Sequence, residues 1–312
     1  MPGNFNQDPI SITYSSTPGH YPLILGKEKG FFREEGVAVD ANFNKDYINQ
    51  INEFRNGKYD GIVVALGSVL NILTTTPDVQ IILVINTSQG RDAILARHNV
   101  QNVEDLKGKV LGTRLGDFGE LLVQEMLKRH NIPLDSVKIV NVKAEDLVDK
   151  LNKGVIDAGQ TWHPYTIQAI NYGYHVLFDS RETPGLITEV LVMRRSVIQE
   201  RPEDVKALLK GWLKSREYWL ENPDEVRSMI SNSLGIDQEY LFDQEVSFEG
   251  IELPSLERNL EIMSPGKTTD SLHFTTQLYT EFFAINGTIN TPPNLETLIN
   301  SSLLKSLQED TP

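Results

Sequence analysis

Apolar and polar residues alternate through Ile10, Ile12 and Tyr14, a short strand pattern. The small polar run Ser15–Gly19 follows, and His20–Lys29 then carries Leu23, Ile24 and Leu25 as an apolar stripe. Gly30 is a helix stop, and a second strand is expected over Val37–Asn42. Asp46–Asn56 reads as a helix with Ile48, Ile51 and Phe54 on one side and Gly57 at its end. Ile62–Leu66 is a buried type of strand, Gly67 and Ser68 its loop, and Val69–Thr75 the next helix. Val79–Ile85 is an apolar strand, and Asn86–Asp92 is polar enough to be a crossing segment.

The rhythm then repeats. Ala93–Ala96 and Val110–Leu111 are strands, Arg114–Gly119 a loop, and Leu121, Leu122 and Met126 one face of a helix. Val137–Val142, Ala144–Leu151, Asp157–Trp162 and His175–Phe178 continue the alternation, which predicts mostly parallel sheets with helices on both faces. Beyond Arg195 the pattern turns helical. Val205, Leu208, Leu209 and Trp212 hold i, i+3, i+4, i+7 spacing, and Asn222-Pro223 opens a helix that Gly235 stops. Gln277–Ala284 and Leu295–Leu307 read as further helices, separated by Pro292-Pro293. The class is α/β with a helical C-terminal part.

At 312 residues the chain exceeds the usual size of one compact core, which points to two lobes. No run of about 18 apolar residues is present, so no membrane-spanning helix is expected. Met1–Asp8 is short and polar, which predicts either a cytosolic protein or one whose export signal has been removed. Cysteine is absent, which excludes disulfides, thiolate metal sites and cysteine nucleophiles. The formal charge of −14 argues against nucleic acid and anionic membranes as partners. The glycines Gly112, Gly116 and Gly119 lack dinucleotide-binding spacing, and the six histidines lack metal-ligand spacing, so no cofactor and no metal are expected.

Several phrases carry a resemblance. "PLILGKEKGFFREEGVAVD", "NGKYDGIVVALGSVL", "NVEDLKGKVLGTRLG", "GVIDAGQTWHPY" and "TPGLITEVLV" together resemble the substrate-binding proteins of ABC importers for nitrate, sulfonates, taurine and pyrimidine precursors. That family also takes in the yeast thiamine-pyrimidine synthases. The resemblance covers nearly the whole chain. It implies the two-lobe type II periplasmic-binding-protein fold, with crossings near Arg91-Asp92 and Glu189-Val190. One lobe would comprise residues 8–92 plus 190–312, the other 93–189. It further implies an exported, monomeric, non-catalytic protein that closes on a small-molecule ligand and is recognised by a membrane permease. A sensing module of the same fold and a thiamine-precursor enzyme are the alternatives, the latter disfavoured because those synthases need a cysteine-rich iron site.

The pocket residues expected on this basis come from two facing loops and the crossings. The first loop supplies Ser15, His20 and Tyr21, and the small-residue turn under the ligand supplies Ser68. Thr87 belongs to the first crossing, and Arg114, Asp117 and Phe118 to the second loop. Trp162 is by resemblance a stacking wall, with interlobe packing as its other reading, and Phe118 is an opposing wall or a helix-start staple. His163 stands where many relatives carry an acid and is expected to be exposed. Arg114 either pairs with an anionic ligand group or is a solvated rim charge. Asp92 and Glu189, if both reach the cleft floor, repel unless a cation or a shared proton intervenes, and a ligand ammonium would satisfy them, which favours an amine-bearing or zwitterionic ligand; pairing with Arg91, Arg194 or Arg195 would be the alternative.

Overall fold

The computed structural model describes residues 8–15, 17–235, 250–285, 287–289 and 291–309. Ser16 of the first loop, and Met1 to Gln7, lie outside the described residues. In chain order the strands are β1 (Ile10–Tyr14), β2 (Val39–Phe43), β3 (Gly61–Ala65), β4 (Val79–Ser88), β5 (Asp92–Ala96) and β6 (Val110–Thr113). They continue with β7 (Lys138–Asn141), β8 (Ala158–Trp162), β9 (His175–Asp179), β10 (Thr188–Arg194) and β11 (Ile251–Glu252). They form two sheets, ordered β11-β4-β10-β3-β1-β2 and β7-β6-β8-β5-β9.

Each sheet starts from three parallel strands joined through helices: β2-β1-β3 in the larger and β7-β6-β8 in the smaller. To these are added antiparallel strands, β10 between β3 and β4, and β5 between β8 and β9. The sheets are therefore mixed, where the alternation alone predicts a mostly parallel arrangement. The cause is the pair of crossings. The chain leaves β4 at Ser88 and enters β5 at Asp92, then leaves β9 at Asp179 and enters β10 at Thr188. A strand that enters a sheet from the other lobe runs against those laid down by βα units. Asp92 and Glu189 accordingly begin strands and do not sit within connecting loops.

Most boundaries fall within two residues of the sequence reading. Gly30 ends the first helix, Tyr21–Lys29, in the left-handed region at φ 79°, where glycine bears no Cβ penalty. Asp46 caps Tyr47–Arg55 through hydrogen bonds from the N–H groups of Ile48 and Asn49, both 3.0 Å. Gly67 and Ser68 are helical, part of Leu66–Leu73, because the helix begins directly where β3 ends. Leu295–Leu307 is two short helices, Leu295–Leu298 and Ser302–Glu309. Between them the Asn300 N–H bonds to the Ile81 carbonyl at 2.9 Å, which ties that segment to β4.

The helical C-terminal part covers the first βα unit. Val205, Leu208, Leu209 and Trp212 of Pro202–Glu221 are all buried, as their spacing predicts. This helix lies against Tyr21–Lys29 and Phe31–Glu34. The approach is close enough to require a small residue: a Cβ on Gly26 would stand 2.5 Å from the Phe32 ring and 2.6 Å from Ser215 Oγ. Asn222 does not cap the following helix, Pro223–Leu234; its Nδ2 donates back to the Tyr218 carbonyl at 3.0 Å.

Candidate functional site

A cleft of about 680 Å³ takes its walls from both sheets. Eight of the residues predicted from sequence line it: Ser68, Asp92, Arg114, Asp117, Phe118, Trp162, His163 and Glu189. The starts of β5 and β10, the ends of β6 and β8, and the first turns of Leu66–Leu73 and Phe118–Arg129 bring them there. This is the place where loops at strand ends and helix starts gather in α/β proteins.

Trp162 closes β8 and is the cross-strand partner of Asp92 in β5. Its ring lies 5.4 Å from Phe118, tilted by 52°. Both belong to the smaller sheet's side, so they form one joined aromatic wall and not two opposing walls. Asp117 caps the Phe118 helix by accepting the Phe118 N–H at 2.8 Å. Partial burial pushes its carboxyl above the usual range, against its bond to that N–H and the field of Arg114, whose Nε stands 3.4 Å away. Arg114 itself is mostly exposed.

Asp92 is buried, and burial pushes its carboxyl up to about 6. The Ser88 hydroxyl and the Arg91 charge oppose the rise, whereas Glu189 and Asp117 add to it. The three carboxylates thus share one field. Arg194 and Arg195 are not their partners: Arg194 donates to the Tyr59 carbonyl at 3.0 Å, and Arg195 pairs with Asp78 at 2.8 Å. Glu189 pairs in register with Asn86 of β4 and Ala65 of β3. Its Oε2 lies 2.7 Å from Nε2 of His20, yet off the hydrogen-bond direction, so neither atom has a directed partner among the described residues.

Four predicted residues stand behind the wall. His20 is fully buried, with Nδ1 3.1 Å from the Ser15 carbonyl oxygen and 3.3 Å from the Ser15 amide. Ser15 serves it through the backbone. Tyr21 is a core residue, stacked on Trp219 at 6.0 Å, because the C-terminal helix roofs the start of the first helix. Thr87 is buried and donates to Glu252 Oε2 at 3.1 Å; strand alternation turns it away from the cleft that Asn86 and Ser88 face. His163 is half-buried where exposure was expected. Its Nδ1 is 2.7 Å from the Thr166 hydroxyl, and desolvation with the Arg91 charge pulls it down to about 4, so it is neutral at pH 7.

Tyr47, Asn86 and Arg91 also line the cleft; sequence reasoning did not single out Tyr47 and placed Asn86 and Arg91 only in the first crossing, with Arg91 as an alternative partner of the acids. The Tyr47 hydroxyl is 2.8 Å from Ser68 Oγ and accepts the Ala65 N–H at 3.2 Å. Burial, and then the Glu189 charge, push its phenol well up, so it stays protonated. An aromatic directly after a helix cap was the available signal. Ile48, read on one helix face with Ile51 and Phe54, is 59% exposed at the cleft, whereas Ile51 and Phe54 are buried. Among the described residues no group of three or more His, Cys, Asp or Glu is arranged to hold a metal.

The family model described as NMT1/THI5 like matches residues 17–226. The taurine-binding periplasmic protein of Escherichia coli (strain K12) is 25% identical over 228 residues, which cover 70% of each chain. Among solved structures, the periplasmic aliphatic sulphonate binding protein SsuA from Escherichia coli superposes with a TM-score of 0.74 at 14% identity, over 96% of this chain and 100% of its own. The desulfurization enzyme DSZB gives 0.64 at 14% identity, over 97% and 99%. The fold is that of the periplasmic binding proteins, and no helix among the described residues is long and apolar enough to cross a membrane.

Proposed function

We propose that this chain, which belongs to the NMT1/THI5-like family, is the extracytoplasmic solute-binding component of an ABC importer. Residues 8–92 with 190–312 and residues 93–189 act as its two lobes. They close as hinged bodies on a small organic solute, which a membrane permease then accepts. One observation carries the reading: a cleft of about 680 Å³ whose lining comes from both sheets, with an aromatic wall at Trp162 and Phe118 and polar groups converging on it. The names of the relatives supply the transport context.

The solute we assign is amine-bearing or zwitterionic. Asp92, Asp117 and Glu189 repel one another in a poorly solvated site, and an ammonium relieves that cost. Arg114 at the rim, beside the start of a helix, suits a carboxylate or sulfonate at the other end. The fold alone does not separate binding from catalysis, since DSZB shares it; the lack of any cysteine removes thiolate chemistry. Native mass spectrometry of the exported protein as purified, followed by a thermal-shift panel of amines, amino acids, pyrimidines, sulfonates and nitrate, tests the reading. Stabilisation by an amine or a zwitterion supports it. Conversion of the bound compound to a product would replace it with an enzyme.

A further inference from the structure

Two neighbouring interior strands of the larger sheet, β4 and β10, leave an unfilled hydrogen-bonding place at the cleft floor. Asn86 and Glu189 face each other in register across β4 and β10, so both side chains project from one face of the sheet. Both line the cleft. Asn86 is only 5% exposed, and its side-chain Oδ1 is buried and accepts no hydrogen bond among the described residues. Buried side-chain amides are rarely left so. The space for this amide exists because residue 19 is glycine: a Cβ there would come within 1.8 Å of Asn86 Oδ1. Glu189 Oε2 is the second acceptor without a directed donor, and His20 beneath it holds the carboxylate in place at 2.7 Å.

Resting on the solute-binding reading above, we infer that Asn86 and Glu189, with Asp92 beside them, form a subsite for a primary ammonium group. The donor count decides the class. The carboxylates of Glu189 and Asp92, with the Asn86 amide in register beside Glu189, call for a cation carrying several N–H groups. A primary ammonium carries three. A trimethylammonium carries none and is wider, so it leaves Asn86 unsatisfied and presses on the floor. A guanidinium spreads its N–H groups in a plane wider than one cross-strand pair. Rotation of the Asn86 amide about its last torsion turns Oδ1 toward the cleft without moving the strand. The aromatic wall of Trp162 and Phe118 then covers the chain attached to the amine.

The experiment is calorimetric titration of the full chain with taurine, β-alanine, 4-aminobutyrate and ethanolamine, each beside its N-trimethyl derivative and its amine-free parent. At least one primary amine binds, and its two analogues bind about 10-fold to 100-fold more weakly, the range of a charged hydrogen bond left unmade. In Glu189→Gln, which keeps the side-chain shape, and in Asn86→Ala, the preference for the amine collapses while the amine-free parent keeps its affinity. Should Asn86→Ala fail to fold, Glu189→Gln reads the same quantity. Equal binding of an amine and its trimethyl or amine-free analogue overturns the subsite, as does silence of every amine. Native mass spectrometry separates the two levels. A cleft occupied by a compound without a primary amine sinks the subsite and leaves solute binding intact, whereas an empty cleft and a silent panel sink both.

Discussion

The two βα units that flank the cleft look alike in sequence and end up in different environments. Each runs from strand to polar loop to helix, Ile10–Lys29 in one and Val110–Arg129 in the other. In the first, Tyr21 to Gly26 are buried without a break, and Tyr21 stacks on Trp219 of a helix nearly 200 positions later. In the second, Arg114, Asp117 and Phe118 open onto the cleft. The difference lies in the cover. The C-terminal helices pack over the first unit, so its loop becomes a support for Glu189 through His20. Among the described residues no helix comparably covers Arg114–Phe118, so that loop faces the cleft. Similar local patterns therefore yield a buried support on one side and a contact surface on the other.

Truncating the first unit should break the fold, and truncating the second should break binding. Tyr21→Ala removes a fully buried aromatic and its stacking partner, and is expected to cost about 3–5 kcal/mol in urea unfolding. The fraction that remains folded should bind its solute with unchanged affinity. An unaltered unfolding midpoint with weakened binding would reverse the assignment of the two loops.

That asymmetry also marks what was legible in the sequence. Strand and helix positions followed from periodicity, since a β-branched run such as Ile62-Val63-Val64 or the heptad-like spacing through Trp212 is a local property. The small-lobe side of the cleft was legible too, because Trp162, Asp117 and Phe118 sit where a strand ends or a helix begins. Tyr21 was misplaced because its burial depends on helix Pro202–Glu221, a contact no local window contains. Thr87 was misplaced by one step of strand alternation once β4 ran on to Ser88. Asn86 was missed for the same reason, as the polar stretch read as a crossing is the last turn of a buried strand's pattern.

Asp92 gives the next largest effect and links the two sides, since its field includes Glu189 from one sheet and Asp117 from the other. Its carboxyl is raised to about 6 from a free value of 3.8, so the folded protein disfavours the ionised form. The penalty is fully present above the folded value and is relieved as pH falls through about 6 toward 3.8. Asp92→Asn should therefore stabilise the ligand-free protein by about 1–3 kcal/mol at pH 8 and by nearly nothing below pH 4. Chemical denaturation at both pH values measures this. A variant less stable at pH 8 would mean that Asp92 is held by a cation within the protein itself.

Trp162→Ala tests the small-lobe wall. Its ring is only partly buried and rests on Phe118, so unfolding should shift less than in Tyr21→Ala. Affinity should fall by about 1–3 kcal/mol, the range for an aromatic anchor at a binding surface. Full affinity in the folded variant would confine Trp162 to holding Phe118 in place.

Arg114 is expected to give the smallest change, and its character differs from the others. The side chain is 57% exposed and meets Asp117 at 3.4 Å, a geometry whose contribution to stability is about 0–1 kcal/mol. Arg114→Ala should accordingly leave the unfolding midpoint almost in place. An exposed charge at the mouth of a cleft acts mainly on encounter, and its influence is screened by salt within a Debye length of about 8 Å at physiological ionic strength. For a solute with a carboxylate or sulfonate, the wild-type association rate should fall as salt is raised, and Arg114→Ala should start lower and respond less. The dissociation rate should change little, because the amine end and the aromatic wall hold the solute from the other residues. Stopped-flow recording of Trp162 fluorescence at two salt concentrations separates the rates. If Arg114→Ala instead speeds dissociation with no effect on association, the guanidinium grips the bound solute, and the second loop is a clamp on the ligand instead of a rim that guides it.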